Sequence, residues 1–121
     1  LHVAAPGPIE NGLIDGLMTR GITPTAYSPV AGGGLGDNDQ HPKWQDLAEV
    51  RAALDREAEP LGVSRDVVAL AWLLRHPAGI QPIVGSRRPE RIKAMAAADA
   101  VELSREAWYR ILIAGRGAKL P

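Results

Sequence analysis

"IQPIVGSRRPERI", residues 80–92, carries the reading of the fold. Ile80 to Val84 form a short apolar run suited to a buried strand, and Gly85 and Ser86 break it. Pro89 then suits the first position of a helix, where its missing N–H has no helical partner to lose. Arg87, Arg88 and Arg91 crowd around that helix start. The amino end of a helix is already electropositive, so cations there cost stability unless an anion sits among them. A strand, a glycine break and a basic helix start in this order predict a strand-to-helix unit with an anion-binding turn.

Upstream, "RDVVALAWLLRH", residues 65–76, is apolar nearly all round after Val67, which predicts a buried helix capped by Ser64 and ended by Pro77 and Gly79. Before it, a helical run from about Trp44 to Leu61 carries Leu47, Val50, Leu54 and Ala58 down one side. "AGGGLGDNDQHPK", residues 31–43, is a loop by composition, and its length marks it as functional or mobile. "ITPTAYSPV", residues 22–30, reads as a second short strand. "ENGLIDGLMTRG", residues 10–21, reads as a helix with Asn11 as cap, Leu13, Ile14, Leu17 and Met18 at helical spacing, and Gly21 as stop. "LHVAAPGP", residues 1–8, suits a strand end followed by a loop. Downstream, a helix runs from Pro89 to about Asp99 and a last one from Ser104 to about Gly115, carrying Trp108, Tyr109, Ile111 and Leu112.

Three short strands separated by helices, with no hairpin signal between them, imply parallel strands joined by right-handed crossovers, an α/β architecture. Three such strands alone would expose unpaired edges, whereas the same order fits the last part of an eight-stranded (β/α)8 TIM barrel. A whole barrel takes roughly 250 residues. The chain has 121, and "LHV" with no methionine before it reads as the tail of a strand, so residues 1–121 are expected to form a single partial domain lacking an N-terminal barrel portion.

With 45% hydrophobic residues and 14 basic against 14 acidic groups, the chain is not a general nucleic-acid binder, which needs a basic surface to neutralise phosphates. The absence of cysteine excludes disulfides and thiolate metal sites and is compatible with a reducing compartment. No apolar run spans a bilayer and no signal-peptide pattern occurs, so no membrane partner and a cytoplasmic location are expected. His2, His41 and His76 share no ligand spacing, and Asp37 and Asp39 lack a paired context, so no metal and no catalytic acid is assigned.

"TPTAYSPVAGGGL", "VALAWLLRHP", "IQPIVGSRRPERI" and "LSREAWYRIL" together resemble the C-terminal portion of an aldo-keto reductase, nearest to bacterial oxidoreductases with "SPxxGGxL" and "PIxGSxxxER" stretches. The resemblance covers nearly the whole chain. It implies a (β/α)8 barrel that binds NADP(H) across the carboxyl ends of its strands and reduces a small aldehyde or ketone by hydride transfer. The strands here would be the end of the sixth, the seventh and the eighth.

By that resemblance the Tyr27 ring stacks on the nicotinamide, where a flat aromatic fixes orientation while adding apolar contact. Ser28, Pro29, Val30 and the glycines through Gly34 to Leu35 line the pyrophosphate, the small residues letting backbone N–H groups approach. Ser86 and Arg91 grip the adenosine 2′-phosphate, with Arg87 or Arg88 as a second cation, and Val84 and Gly85 complete the cofactor-binding set. Gly85 stands where many relatives carry lysine, and Ala94 and Met95 where many carry an acid-amide pair, so the phosphate role falls more heavily on Arg91 and its neighbouring arginines. The plainer alternatives are a half-buried strand tyrosine, a flexible triple-glycine connector and a solvated basic face with Glu90 pairing locally. Trp72 and Trp108 read as core.

The family's proton-donor tyrosine and its lysine, aspartate and histidine partners belong to segments ahead of Leu1, so no catalytic residue is assigned here. The chain alone is expected to contribute cofactor grip. Two further readings are a reductase-like subunit that binds nucleotide as a sensor and a truncated, poorly folded remnant.

Overall fold

The computed structural model describes residues 1–36 and 46–120. Asn11 and Gly12 divide the first helical segment into α1, Gly7–Glu10, and α2, Leu13–Thr19. Asn11 Oδ1 accepts the Leu13 N–H at 3.0 Å and Gly12 turns the chain with φ +81°, so α2 is the helix expected after Asn11, while α1 is an added turn in the stretch expected to be a loop. Gly21, at φ +65°, ends α2: its N–H donates to the Met18 carbonyl and that of Ile22 to the Leu17 carbonyl, each at 3.0 Å.

The sheet is smaller than expected. β1, Thr25–Ala26, pairs in parallel with β2, Gln81–Pro82, Thr25 opposite Gln81 and Ala26 opposite Pro82. Gln81 N–H donates to the Pro24 carbonyl at 2.9 Å and Ile83 N–H to the Ala26 carbonyl at 3.0 Å. Pro82, which has no N–H, therefore falls where the nitrogen faces away from β1, and the ladder loses nothing. The third strand expected at "LHV" does not join this pair. His2 and Ala5 form an isolated antiparallel bridge, closed by Ala5 N–H to the His2 carbonyl, because the chain doubles back on itself just ahead of Pro6.

α3, Ala48–Leu61, and α4, Arg65–Leu74, connect the two strands. The expected start of the first of these near Trp44, and with it Asp37, Asp39, His41 and the loop residues 37–43, lie outside the described residues; Asp46 and Leu47 precede the helix. Val50, Leu54 and Ala58 form the buried side of α3, as their spacing predicts. α4 is buried along its length from Asp66 to Leu73 and packs against α3, β2 and α5, Pro89–Ala96. Pro89 opens α5 as expected, and a short 3-10 turn, Ala97–Ala100, follows it. α6, Arg105–Arg116, is capped by Ser104, whose Oγ accepts the Ala107 N–H at 3.1 Å.

The core is built around α4. Leu54, Leu70, Trp72, Leu73, Ile80 and Ile111 are fully buried, each large apolar side chain stabilising by about 1.5–3 kcal/mol. Trp72 and Trp108 stack with ring centroids 5.0 Å apart and planes 11° from parallel. Each indole N–H donates to the other residue's backbone carbonyl, at 3.0 and 2.9 Å, so α4 and α6 are joined by apolar contact and a reciprocal polar clasp. At the far end of α6, Gly115 lies against the N-terminal segment: a methyl group there would overlap the Val3 carbonyl oxygen and come to 2.9 Å of its carbonyl carbon. Arg116 pairs with Glu10 at 2.7 Å beside this contact. Just past α4, His76 Nδ1 accepts the Ala78 N–H at 3.2 Å, and burial pulls the imidazole below its ordinary value of 6.5 against the opposing charge of Asp15.

Because β1 and β2 run parallel, the loops leaving Ala26 and Pro82 emerge on the same side of the sheet. Among the described residues, no helix is long and apolar enough to cross a membrane.

Candidate functional site

The two loops line an open cavity of about 380 Å³, within the ~300–1,000 Å³ range of ligand sites. One wall follows β1. Tyr27 is 77% exposed, its ring turned outward at the strand end instead of half-buried in the sheet. Behind it Pro29 is buried and anchors the loop, while Ser28 and Ala31 adopt left-handed backbone with φ of +49° and +53°. Non-glycine residues in that region cost of order 1–3 kcal/mol each, and such strain persists where surrounding structure holds it, often at binding sites. Gly32 and Gly33, at +63° and +96°, carry the rest of the turn. The glycine run is therefore a wound loop with a 3-10 turn over Ala31–Gly33.

The winding uses much of the backbone expected to face an anion. The N–H groups of Ala31, Gly33, Gly34, Leu35 and Gly36 all donate within the loop, at 2.9–3.1 Å. Gly34 also offers its carbonyl to Arg51 Nε at 2.9 Å, and Leu35 is fully buried in the core. Gly34, Leu35 and Arg87 do not line the cavity; Tyr27, Ser28, Pro29, Val30, Val84, Gly85, Ser86 and Arg91 do.

The other wall follows β2. Ile83 and Val84 are 49% and 38% exposed, an unusual state for residues read as buried strand, because the two-residue ladder has ended before them and they face the cavity. Ser86 Oγ accepts the Arg88 N–H at 3.2 Å, which shapes the turn leading into Pro89. Arg88 and Glu90 approach at 4.0 Å with both side chains well exposed, a pairing of little weight.

Arg91 has a different partner. Its Nη2 donates to Asp66 Oδ2 at 3.0 Å, with side-chain exposures of 25% and 8%. Asp66 is itself fixed at the start of α4, its Oδ1 accepting the Val67 N–H at 3.0 Å and the Ser64 hydroxyl. Gly36 leaves room for the pair, since a Cβ there would lie 3.2 Å from Arg91 Nη2 and 3.6 Å from Asp66 Oδ2. The guanidinium thus sits where the loop after β1, the start of α4 and the first turn of α5 converge.

Leu70, on the helix expected to be buried, and Met95, read as a departure from the resemblance, add to the apolar lining. Asp66 was missed altogether. Its signal was present: an acid inside an otherwise buried helix needs a cation or several donors.

Comparison with known proteins gives a consistent result. The family model described as "Aldo/keto reductase family" matches residues 8–114. A 6-dehydroglucose reductase of Novosphingobium aromaticivorans is 46% identical over 112 residues, covering 93% of this chain and 36% of the relative. A 6-dehydroglucose reductase of Agrobacterium fabrum is 34% identical over 111 residues, covering 92% and 35%. The chain thus spans about a third of the length of the curated relatives it matches. The crystal structure of the thermostable aldo-keto reductase Tm1743 with the inhibitor epalrestat superposes with a TM-score of 0.78 at 24% identity, over 94% of this chain and 37% of that one. This likeness shows the fold to be part of an α/β barrel.

Proposed function

Because the chain belongs to the aldo/keto reductase family, we propose that it forms the cofactor-gripping part of a cytoplasmic NADP(H)-dependent reductase of a small aldehyde or ketone. The reading is carried by one observation: the loops after two parallel strands line one cavity, which brings an exposed aromatic ring and a guanidinium into the same site. Ligands of such folds lie at the carboxyl ends of the strands.

The residues fit a dinucleotide in character. Tyr27 offers a flat apolar face for a nicotinamide, and Leu70, Ile83, Val84 and Met95 offer apolar contact. Gly85 leaves open space, with nothing within 4 Å of where a Cβ would stand. Ser86 and Arg91 supply a hydroxyl and a fork of donors suited to a phosphate. When bound, the cofactor supplies the hydride delivered to the carbonyl carbon; the proton for the oxygen comes from a donor outside this chain. Tyr27 would hold one face of a bound nicotinamide, leaving the other for the substrate. Since two relatives are 6-dehydroglucose reductases, a sugar carbonyl is the first substrate to try.

Titrating the full-length gene product with NADPH and NADH, followed by intrinsic fluorescence, tests the site. Arg91→Ala is expected to weaken NADPH by about 1.5–3 kcal/mol, the range for a hydrogen bond to a charged group, and to leave NADH nearly unchanged. Equal losses for both would remove Arg91 from the 2′-phosphate. Turnover of an aldehyde by the same protein separates a reductase from a sensor subunit that only binds nucleotide.

A further inference from the structure

Asp66 has no part in the site as proposed so far, yet it holds the cation on which that site depends. Its carboxylate is more than nine-tenths buried and cannot swing away, because Oδ1 is held by the Val67 N–H and the Ser64 hydroxyl while Oδ2 faces Arg91 Nη2 at 3.0 Å. The amino end of α4 adds its own preference for a negative charge at that spot. The ion pair is therefore a fixed part of the fold, and an anion reaching Arg91 meets a guanidinium already neutralised on one side.

We propose that Asp66 is a specificity-determining residue that restrains the preference for a 2′-phosphorylated cofactor, so that the site accepts NADH alongside NADPH; this rests on the cofactor reading above. A 2′-phosphate carries roughly −1.5 to −2 charges at neutral pH. It gains from Arg91 but is repelled by the carboxylate that shares the same guanidinium, and within a partly buried site that repulsion is weakly screened. A cofactor without the phosphate meets neither term. The nearby arginines do not restore the balance, since Arg87 does not line the cavity and Arg88 is well exposed and loosely paired with Glu90.

The test is a double-mutant comparison on the full-length gene product, titrating NADPH, NADH, 2′,5′-ADP and 5′-AMP and checking each variant by thermal melting. Asp66→Asn keeps the shape and an acceptor for Ser64 and Val67. It is expected to tighten NADPH and 2′,5′-ADP by about tenfold and to leave NADH and 5′-AMP unchanged, a selective gain that mere loosening of the fold cannot produce. Arg91→Ala is expected to cost NADPH more in the Asp66→Asn background than in the unaltered protein. If Asp66→Asn lowers NADPH affinity or leaves the ratio unchanged while Arg91→Ala still lowers it, the inference is overturned and the cofactor reading stands. If Arg91→Ala moves neither cofactor in either background, the cofactor reading falls and takes the inference with it. Asp66→Ser, which keeps an acceptor for the Val67 N–H, serves if the asparagine variant does not fold, with the same direction expected. The unaltered protein gives a further criterion: NADPH and NADH should bind within about tenfold of each other, and a preference of about a hundredfold for NADPH overturns the proposal.

Discussion

His76 accepts a backbone N–H through Nδ1 while burial depresses its proton affinity, and both features require the neutral ring. Protonation in the folded protein breaks that hydrogen bond, whereas the unfolded chain takes up the proton at the ordinary value. Between the depressed folded value and 6.5 the unfolded state binds more protons, so stability is fully present above 6.5 and is lost as the pH falls toward the folded value. Urea melts of wild type and His76→Asn at about pH 7.5 and about pH 5.5 are expected to show a smaller acid loss in the variant, which keeps an acceptor but cannot titrate. An unchanged acid loss would place the dependence elsewhere. At this scale the sequence was least explicit. Arg91 was legible as a cation near a helix start, but its partner Asp66 lies 25 residues away and meets it only because α4 and α5 pack together. Tyr27 was legible as a strand-end aromatic; that its ring points outward depends on where the ladder stops, which no local pattern encodes.

Helices were legible because their apolar spacing is local. α3, α4, α5 and α6 all begin or end within a few residues of where caps, glycines and prolines place them. The strands were legible in position and not in extent, since a ladder needs a neighbour and its length is set by that neighbour's path. α6 shows how packing overrides propensity. The helix expected to run to about Gly115 runs to Arg116, which places Gly115 inside it, where glycine is normally poorer than alanine by about 0.5–1 kcal/mol. Here the missing methyl is what lets the helix meet the Val3 backbone. Gly115→Ala is accordingly expected to destabilise by about 1–3 kcal/mol, the overpacking range, against the direction of helix propensity. A denaturant melt checks the sign, and a more stable variant would mean that the segment around Val3 shifts away at little expense.

The molecule as a whole is a buried helix surrounded by helices, with a minimal parallel sheet at one side. Protection from hydrogen exchange should follow that layout. Amides of Ala69 to Leu73 are expected to exchange far more slowly than those of Gln81 and Ile83, whose carbonyl partners lie in a two-stranded pair bordered by exposed Ile83 and Val84. Equal protection would mean that the sheet, and not α4, belongs to the most stable unit. The contact between Gly115 and Val3 has a kinetic meaning as well. It joins segments from near the two ends of the described chain, so the loop it closes encompasses every element between them, and closure entropy disfavours forming it before α3 and α4 have docked. A seam that closes after the folding barrier has been passed does not govern how fast the protein folds. It is expected to act as a latch: Gly115→Ala should leave the refolding rate almost untouched and speed unfolding, which stopped-flow refolding and unfolding rates check.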